Sequence, residues 1–300
     1  MPNEAPVPLS IVIGTVQGWP DIAATVRAAE AAAERVGAEL ILLDGSGLDP
    51  PPPGTLSSVS TWHEFPGESV FQLRLRGYEL SRAPIVAITE DHCNAPPDWC
   101  ERMLAAHEAH PDAAAIGGSV ENGAVDSVMD WASFFIVQVG VMSPIRSGVA
   151  SRLAGAVNVS YKRSALADVQ GFGGQGAMDV LHQKMLQERG ELLVADDRIR
   201  VSHVQSLGFG ATTVIHYHAG RTISGFRRKT MSATDWIRFV GAFVVPIARF
   251  GRILAIGTRK GYTRPLLRGA PAIVWLLYSQ AVGQFLGYAR GAGDSANQLQ

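Results

Sequence analysis

Three hundred residues, 47% hydrophobic and 18% charged, make a globular chain with enough apolar side chains for one large core or two modest ones. That apolar share excludes intrinsic disorder, and two cysteines exclude a disulfide scaffold. The net charge of −1 hides a division: residues 1–200 hold 14 Lys/Arg against 25 Asp/Glu, residues 201–300 hold 12 Lys/Arg against Asp235 and Asp294. Such a split implies two regions in different surroundings, the basic one near phosphate or anionic lipid.

In chain order, the start Met1-Pro2-Asn3-Glu4 has no basic segment, and the apolar run after it is too short for a signal peptide. The N-terminal part is therefore expected to stay in the cytoplasm. Leu9-Ser10-Ile11-Val12-Ile13-Gly14 is β-branched and ends in glycine, the pattern of a buried strand. Asp21 is placed to cap an alanine-rich helix reaching residue 36, and Leu40-Ile41-Leu42-Leu43 forms a second strand stopped by Asp44-Gly45-Ser46-Gly47. Four consecutive prolines make residues 49–54 a loop. Val70, Leu73, Gly77 and Leu80 have helical spacing over residues 69–81, and Ile85-Val86-Ala87-Ile88-Thr89 is a third strand running into Glu90-Asp91-His92. Strand–helix–strand–helix–strand with short links predicts an α/β domain with a mostly parallel sheet and helices on both faces. Helices follow at 98–110, 164–169 and 178–189, with strands at 113–117, 191–195 and 199–203. Cys93 and Cys100 form no CxxC pair, so a zinc site is not expected, and a reducing compartment fits.

Open parallel sheets bind ligands beyond the carboxyl ends of their strands. Three polar segments fall at such ends: Thr15-Val16-Gln17-Gly18, Asp44-Gly45-Ser46-Gly47 and Glu90-Asp91-His92. Two carboxylates and an imidazole in the last suit a hard divalent cation, and strand alternation turns Glu90 and His92 to one side and Asp91 to the other. The bland reading of the same residues is a helix cap followed by solvent-exposed polar residues. Gly171-Phe172-Gly173-Gly174-Gln175-Gly176 satisfies GxGxxG, but a helix rather than a strand is predicted before it, so a dinucleotide site is not supported. There is no GxxxxGK[ST] and no GxSxG.

The ordered set of these segments resembles the family 2 glycosyltransferases, which have the GT-A fold. Ile11-Val12-Ile13-Gly14-Thr15 is similar to the family's opening strand, and Leu42-Leu43-Asp44-Gly45-Ser46 to its "VVDDGS" strand end. Leu73-Arg74-Leu75-Arg76-Gly77 with Ala83-Pro84-Ile85-Val86-Ala87 resembles the helix and strand that follow. Thr89-Glu90-Asp91-His92-Cys93 resembles a "TEDHC" form of the DxD region, and Gly155-Ala156-Val157-Asn158-Val159-Ser160 the acceptor-side segment. Gly171-Phe172 then becomes the glycine-rich loop ahead of the catalytic helix. The resemblance covers residues 9–205 and departs from the family at three places: Leu43-Asp44 replaces paired aspartates, Glu90-Asp91-His92 replaces DxD, and Met178-Asp179 stands where "ED" or "WE" supplies the base.

What the resemblance implies is an inverting, metal-dependent transfer of a sugar from a UDP- or GDP-sugar to an acceptor hydroxyl. Asp179 is then the catalytic base. Thr15, Gln17, Asp44, Arg76, Glu90 and Asp91 contact the nucleotide, Asp91, His92 and His203 hold Mn²⁺ or Mg²⁺, and Asn158 and Arg221 contact acceptor or phosphate. A sugar nucleotidyltransferase is the rival within the fold neighbourhood, but Thr15–Pro20 lacks the basic residue such an enzyme's phosphate loop carries. A GT-A-like binding or assembly protein without turnover is the rival from another class.

A second region is expected from residue 211 onward, after a catalytic domain at 1–210. Residues 269–289 form 21 consecutive positions without a charge, about 31 Å as a helix, which is the thickness of a bilayer core. Ser279, Gln280, Gln284 and three glycines weaken that span, leaving an in-plane helix, a re-entrant helix or a core helix as alternatives. Residues 236–256 are also apolar but broken by Arg238, Pro246, Arg249 and Arg252. Basic residues interleaved with apolar runs favour a membrane over nucleic acid, so the chain is expected at the cytoplasmic face of the membrane, acting on a lipid-linked or cell-envelope glycan acceptor.

Overall fold

The computed structural model describes residues 6–167 and 179–299. The glycine-rich segment 171–176 and Met178 lie outside the described residues. The chain forms two compact units, Met1–Glu121 with Val141–Val204 and Asn122–Gly140 with Gln205–Gln300.

Strands run in chain order as β1 (Leu9–Thr15), β2 (Glu39–Asp44), β3 (Ser60–Glu64), β4 (Ile85–Ile88), β5 (Cys93–Asn94), β6 (Ala113–Asn122), β7 (Gly148–Val149), β8 (Val159–Lys162) and β9 (Leu192–His203). The helices are α1 (Ala23–Glu34), α2 (Val70–Leu80), α3 (Trp99–Ala109), α4 (Val128–Gln138), α5 (Asp179–Glu188), α6 (Phe209–Arg227), α7 (Ala233–Val240), α8 (Val245–Arg259) and α9 (Thr263–Arg290).

The first unit is an α/β body on one sheet, ordered β3-β2-β1-β4-β8-β6-β9-β5, with β7 beside β9. β1 to β4 pair in parallel, as the short strand–helix links require. From β8 onward the sheet turns antiparallel, a change the local pattern does not announce. The polar edge strand Ser60-Thr61-Trp62-His63-Glu64 is tied down by Glu30 of α1, which accepts from Ser57 N and Ser60 Oγ. Its lack of an apolar face is why it does not read as a strand. Val159–Lys162 is too short to show a period, yet it pairs with both β4 and β6. The two late strands expected at 191–195 and 199–203 are one, β9, continued through Asp196-Asp197-Arg198. α1 starts at Ala23 with Ile22 at its cap, so Asp21 does not cap it.

Val12, Leu43, Leu73, Val86, Ile88 and Tyr161 lie in one buried cluster between this sheet and its helices. Gly77 lets α2 approach β1: a Cβ there would stand 2.2 Å from Val12 Cγ1 and 3.2 Å from Leu43 Cδ1. Gly77→Ala is accordingly expected to lower the unfolding free energy by about 1–3 kcal/mol, measurable by urea titration, because neither neighbour can yield in a packed core.

The second unit is helical. Residues 122–140, unassigned by sequence pattern, contribute α4, whose Ser127 cap accepts from Asp130 N. α9 is its central element, with Ile273, Leu276 and Leu277 inaccessible or nearly so. It meets α6 at backbone distance: a Cβ on Gly283 would lie 2.0 Å from Tyr217 O, and one on Gly220 would lie 2.2 Å from Gln280 O. Gly283 and Gly287, which weaken 269–289 as a span, are therefore positions that seat it against α6. Among the described residues no single helix is long and apolar enough to cross a membrane. α7 and α8 have the composition together but are bent by 106°.

Candidate active site

Three carboxyl ends of neighbouring parallel strands meet in the first unit. Thr15 and Asp44 are register partners at the ends of β1 and β2, both buried. Asp44 Oδ1 accepts from Ser46 N at 2.8 Å, and Thr15 Oγ1 accepts from Gln17 N at 3.1 Å, so each polar strand end is folded back into a tight turn. β4 lies on the other side of β1, and Thr89 N donates to Val12 O as the ladder ends. Glu90, Asp91 and His92 follow at once.

Strand alternation does not hold for them: Cys93 N donates to Glu90 O at 3.1 Å, so the three residues form a turn, and a second element joins them. β9 ends at His203, which pairs with Cys93 of β5 and so comes beside His92. Donor atoms of Glu90, His92 and His203 all lie within 4.8 Å of one another. His92 Nε2 and His203 Nε2 are 3.1 Å apart, Glu90 Oε2 is 3.4 Å from His92 Nε2, and 3.8 Å separates Glu90 Oε2 from His203 Nε2. Donors on one cation at bonds of about 2.1 Å stand ~3.0–3.4 Å apart, so the three fit a single divalent ion with little movement. Asp91 is turned to the other side of the ring: its Oδ1 accepts from His92 Nδ1 at 2.7 Å. A carboxylate behind a histidine fixes the tautomer that presents Nε2 to a metal.

Charge in this cluster is strongly biased. Burial acts against Glu90, but the hydrogen bond and charge of His92, with Arg74 and His203 behind them, hold its carboxyl at about 2. Burial likewise acts against a His92 cation, yet Asp91 and Glu90 lift it to about 10. Burial and the neighbouring His92 charge push His203 down to about 4. Charge is thus favoured on Glu90 and His92, and the neutral form is favoured on His203.

Asp179, first residue of α5, is buried in the same unit. Tyr161 Oη donates to its Oδ1 at 3.0 Å, while Oδ2 has no hydrogen-bond partner among the described residues. Burial raises its pKa; the charge of Arg74, the neighbouring His182 and the Tyr161 bond partly offset that. Tyr161 is itself stacked on His182 at 4.8 Å, and burial beside Asp179 pushes its hydroxyl up, which keeps it a donor.

One side chain joins the two groups. Arg74 of α2 places Nη2 3.2 Å from Glu90 Oε1 and Nη1 3.7 Å from Asp179 Oδ2, with its side chain only 10% exposed. Arg76, the residue expected at the nucleotide, is 47% exposed and pairs with Glu68 and Glu79 on the outer face of α2. A signal for Arg74 exists in the sequence: positions 70, 73, 74 and 77 share one helical face, so an arginine at 74 points inward among apolar residues. Asn158 stands apart from the cluster. It is fully buried, its Nδ2 donating to Ser119 O and Ile199 O and its Oδ1 accepting from Trp99 Nε1, so its amide is spent on the core. Arg221 belongs to α6 of the second unit, where Nε donates to Gly291 O at 3.3 Å.

No family model matches the sequence. A glucosyl-dolichyl phosphate glucuronosyltransferase of Haloferax volcanii is 29% identical over a match that covers 43% of this chain and 46% of that protein. The match thus spans about half the length of this curated relative. Among solved structures, the mannosyltransferase PcManGT from Pyrobaculum calidifontis, in complex with GDP-Man and Mn²⁺, superposes with a TM-score of 0.59 at 16% identity, covering 93% of this chain and 89% of that one. The nine-stranded sheet with its flanking helices is a glycosyltransferase fold, and the chain's relatives by sequence and by structure are both named as sugar transferases.

Proposed function

We propose that this protein is an inverting glycosyltransferase of the family 2 kind, moving a sugar from a nucleotide-sugar donor to an acceptor hydroxyl. The observation that carries the reading is Arg74 bridging a candidate cation ligand, Glu90, to a buried carboxylate, Asp179, whose Oδ2 has no hydrogen-bond partner among the described residues. Thr15, Gln17 and Asp44 lie at the strand ends where this fold receives a nucleotide. Glu90, His92 and His203 would hold a divalent cation, with Asp91 orienting His92. When bound, such an ion neutralises diphosphate charge and stabilises the leaving group.

The chain's own residues then supply the rest. Asp179 Oδ2 takes the proton of the acceptor hydroxyl as its oxygen attacks the anomeric carbon, and the bond from that carbon to the diphosphate oxygen breaks on the opposite face. Tyr161 holds Oδ1 by hydrogen bond, which leaves Oδ2, beside Arg74, as the oxygen without a hydrogen-bond partner among the described residues. Arg74 keeps the carboxylate charged against the burial that would protonate it.

A lipid-linked acceptor or envelope glycan at the cytoplasmic membrane face is the setting we favour. Its support is the dolichyl phosphate in the name of the Haloferax relative, together with the basic, apolar C-terminal third. The reading is tested by incubating the protein with Mn²⁺ and GDP- or UDP-sugars and a polyprenyl phosphate acceptor. Formation of a glycosylated lipid supports it; donor binding without transfer to any acceptor favours a binding protein instead. His203→Ala removes one of three donors and is expected to weaken Mn²⁺ binding by at least about 10-fold, read by electron paramagnetic resonance of free Mn²⁺. Unchanged affinity would move the ion elsewhere.

A further inference from the structure

The helices α7 and α8 show an inverted pattern. Trp236, Ile237, Val240, Phe243, Val244 and Ile247 recur at helical spacing across the bend and are all exposed, Val240 by 83% and Val244 by 68%. The acidic residue of this segment points the other way. Asp235 is buried, capping α7 through Ser232, accepting from Tyr288 Oη at 2.8 Å, and pairing with Arg227 and Arg238. Phe239 stacks on Phe285 of α9 at 5.3 Å, and Tyr278 Oη donates to Phe243 O, so the elbow is fixed in this orientation by specific contacts. A helix facing water alone would present the opposite face.

Charge decides what covers it. The only acids of residues 201–300 are Asp235 and Asp294, and the first is consumed inside the unit. Arg228, Lys229 and Arg252 are exposed, leaving an apolar stripe on a basic region whose one other acid is Asp294 near the C-terminus. Apolar residues beside unopposed cations match an anionic lipid surface, whose headgroups meet the arginines while the acyl region receives the stripe. Length excludes a crossing: α7 is about 12 Å and α8 about 22 Å, against ~30 Å of hydrocarbon, and the 106° bend prevents the two from adding.

We infer that the α7–α8 elbow is a monotopic anchor that inserts into one leaflet of an anionic membrane, and that α9, the uncharged stretch of the sequence, packs behind it as its support. This rests on the membrane setting proposed above and not on the transfer chemistry. The test is flotation of the full chain with phosphatidylcholine vesicles, with and without phosphatidylglycerol. Wild type is expected to float with the anionic vesicles, less so as salt rises, and poorly with pure phosphatidylcholine. Ile237→Ser/Val240→Ser/Val244→Ser alters exposed positions only, so its circular dichroism should match wild type while its partitioning falls about 100-fold. If the triple variant floats as wild type does, the elbow is not the anchor although the membrane setting stands. If wild type itself stays in solution with both vesicles, the setting fails and the anchor with it. Concentration-dependent dimerisation of wild type that the triple variant abolishes, without flotation, would identify a second copy as the occupant and overturn the inference. None of these readouts uses enzymatic activity.

Discussion

Asp179→Asn is expected to lower kcat by about 10²–10⁴-fold while leaving nucleotide-sugar affinity near wild type. The amide keeps the shape and can still accept from Tyr161, but it cannot take a proton from an acceptor hydroxyl. Because burial raises the Asp179 pKa, the acid limb of the kcat/KM profile should lie above the ordinary aspartate range. The base works only when ionised, so activity is lost as pH falls through that raised value. Tyr161→Phe removes a hydrogen bond that favours the ionised form and should move the same limb further up. Full turnover in Asp179→Asn would show that another group carries the proton, whatever its donor binding.

Arg74→Met carries the largest expected cost in stability. It leaves Glu90 and Asp179 without the guanidinium that spans them, and breaking a buried pair from one side costs roughly 3–5 kcal/mol. The sign with pH follows from Asp179. A carboxyl whose folded pKa is raised binds its proton more tightly folded than unfolded, so its ionisation destabilises the fold. Removing Arg74 raises that pKa further, and part of the lost stability should return as pH is lowered toward it. Urea unfolding across pH measures both effects. Arg74→Lys retains one charge but not the two-armed reach, so it should restore stability better than it restores the position of the acid limb. A stability within about 0.5 kcal/mol of wild type for Arg74→Met would mean that the bridge contributes little.

Much of the first unit is legible because its information is local. A buried parallel strand needs a continuous apolar run, so β1, β2 and β4 stand out in the sequence, and with them the polar residues that follow each strand. α2 and α3 show their period for the same reason. The edge strand β3 carries no apolar face, and β8 is four residues long, so neither has a pattern to read. Their places are set by partners 20 or more residues distant, Leu40 for Ser60 and Ile85 for Lys162.

At the candidate site the same boundary applies. That Glu90, Asp91 and His92 follow a buried strand is readable locally, whereas the turn that holds them, closed by Cys93 N donating to Glu90 O, and the approach of His203 through the β5–β9 pairing are not. Arg74 and Arg76 differ by two residues and therefore lie on different sides of one helix; packing against β1 decides which is buried between carboxylates and which pairs on the surface. Asn158 sits in a motif-like segment, but only the packed core shows its amide committed to Ser119, Ile199 and Trp99.

The sequence alone determined the strand ends that converge, the carboxylates and imidazoles that stand there, and the division into an acidic and a basic region. These are set by neighbours in the chain and by composition. The tertiary structure decided which arginine joins Glu90 to Asp179, that one face of α9 packs against α6, and that the elbow turns its apolar face outward. Those outcomes depend on which surfaces become buried together, and burial is a property of contacts between distant segments that no local period encodes.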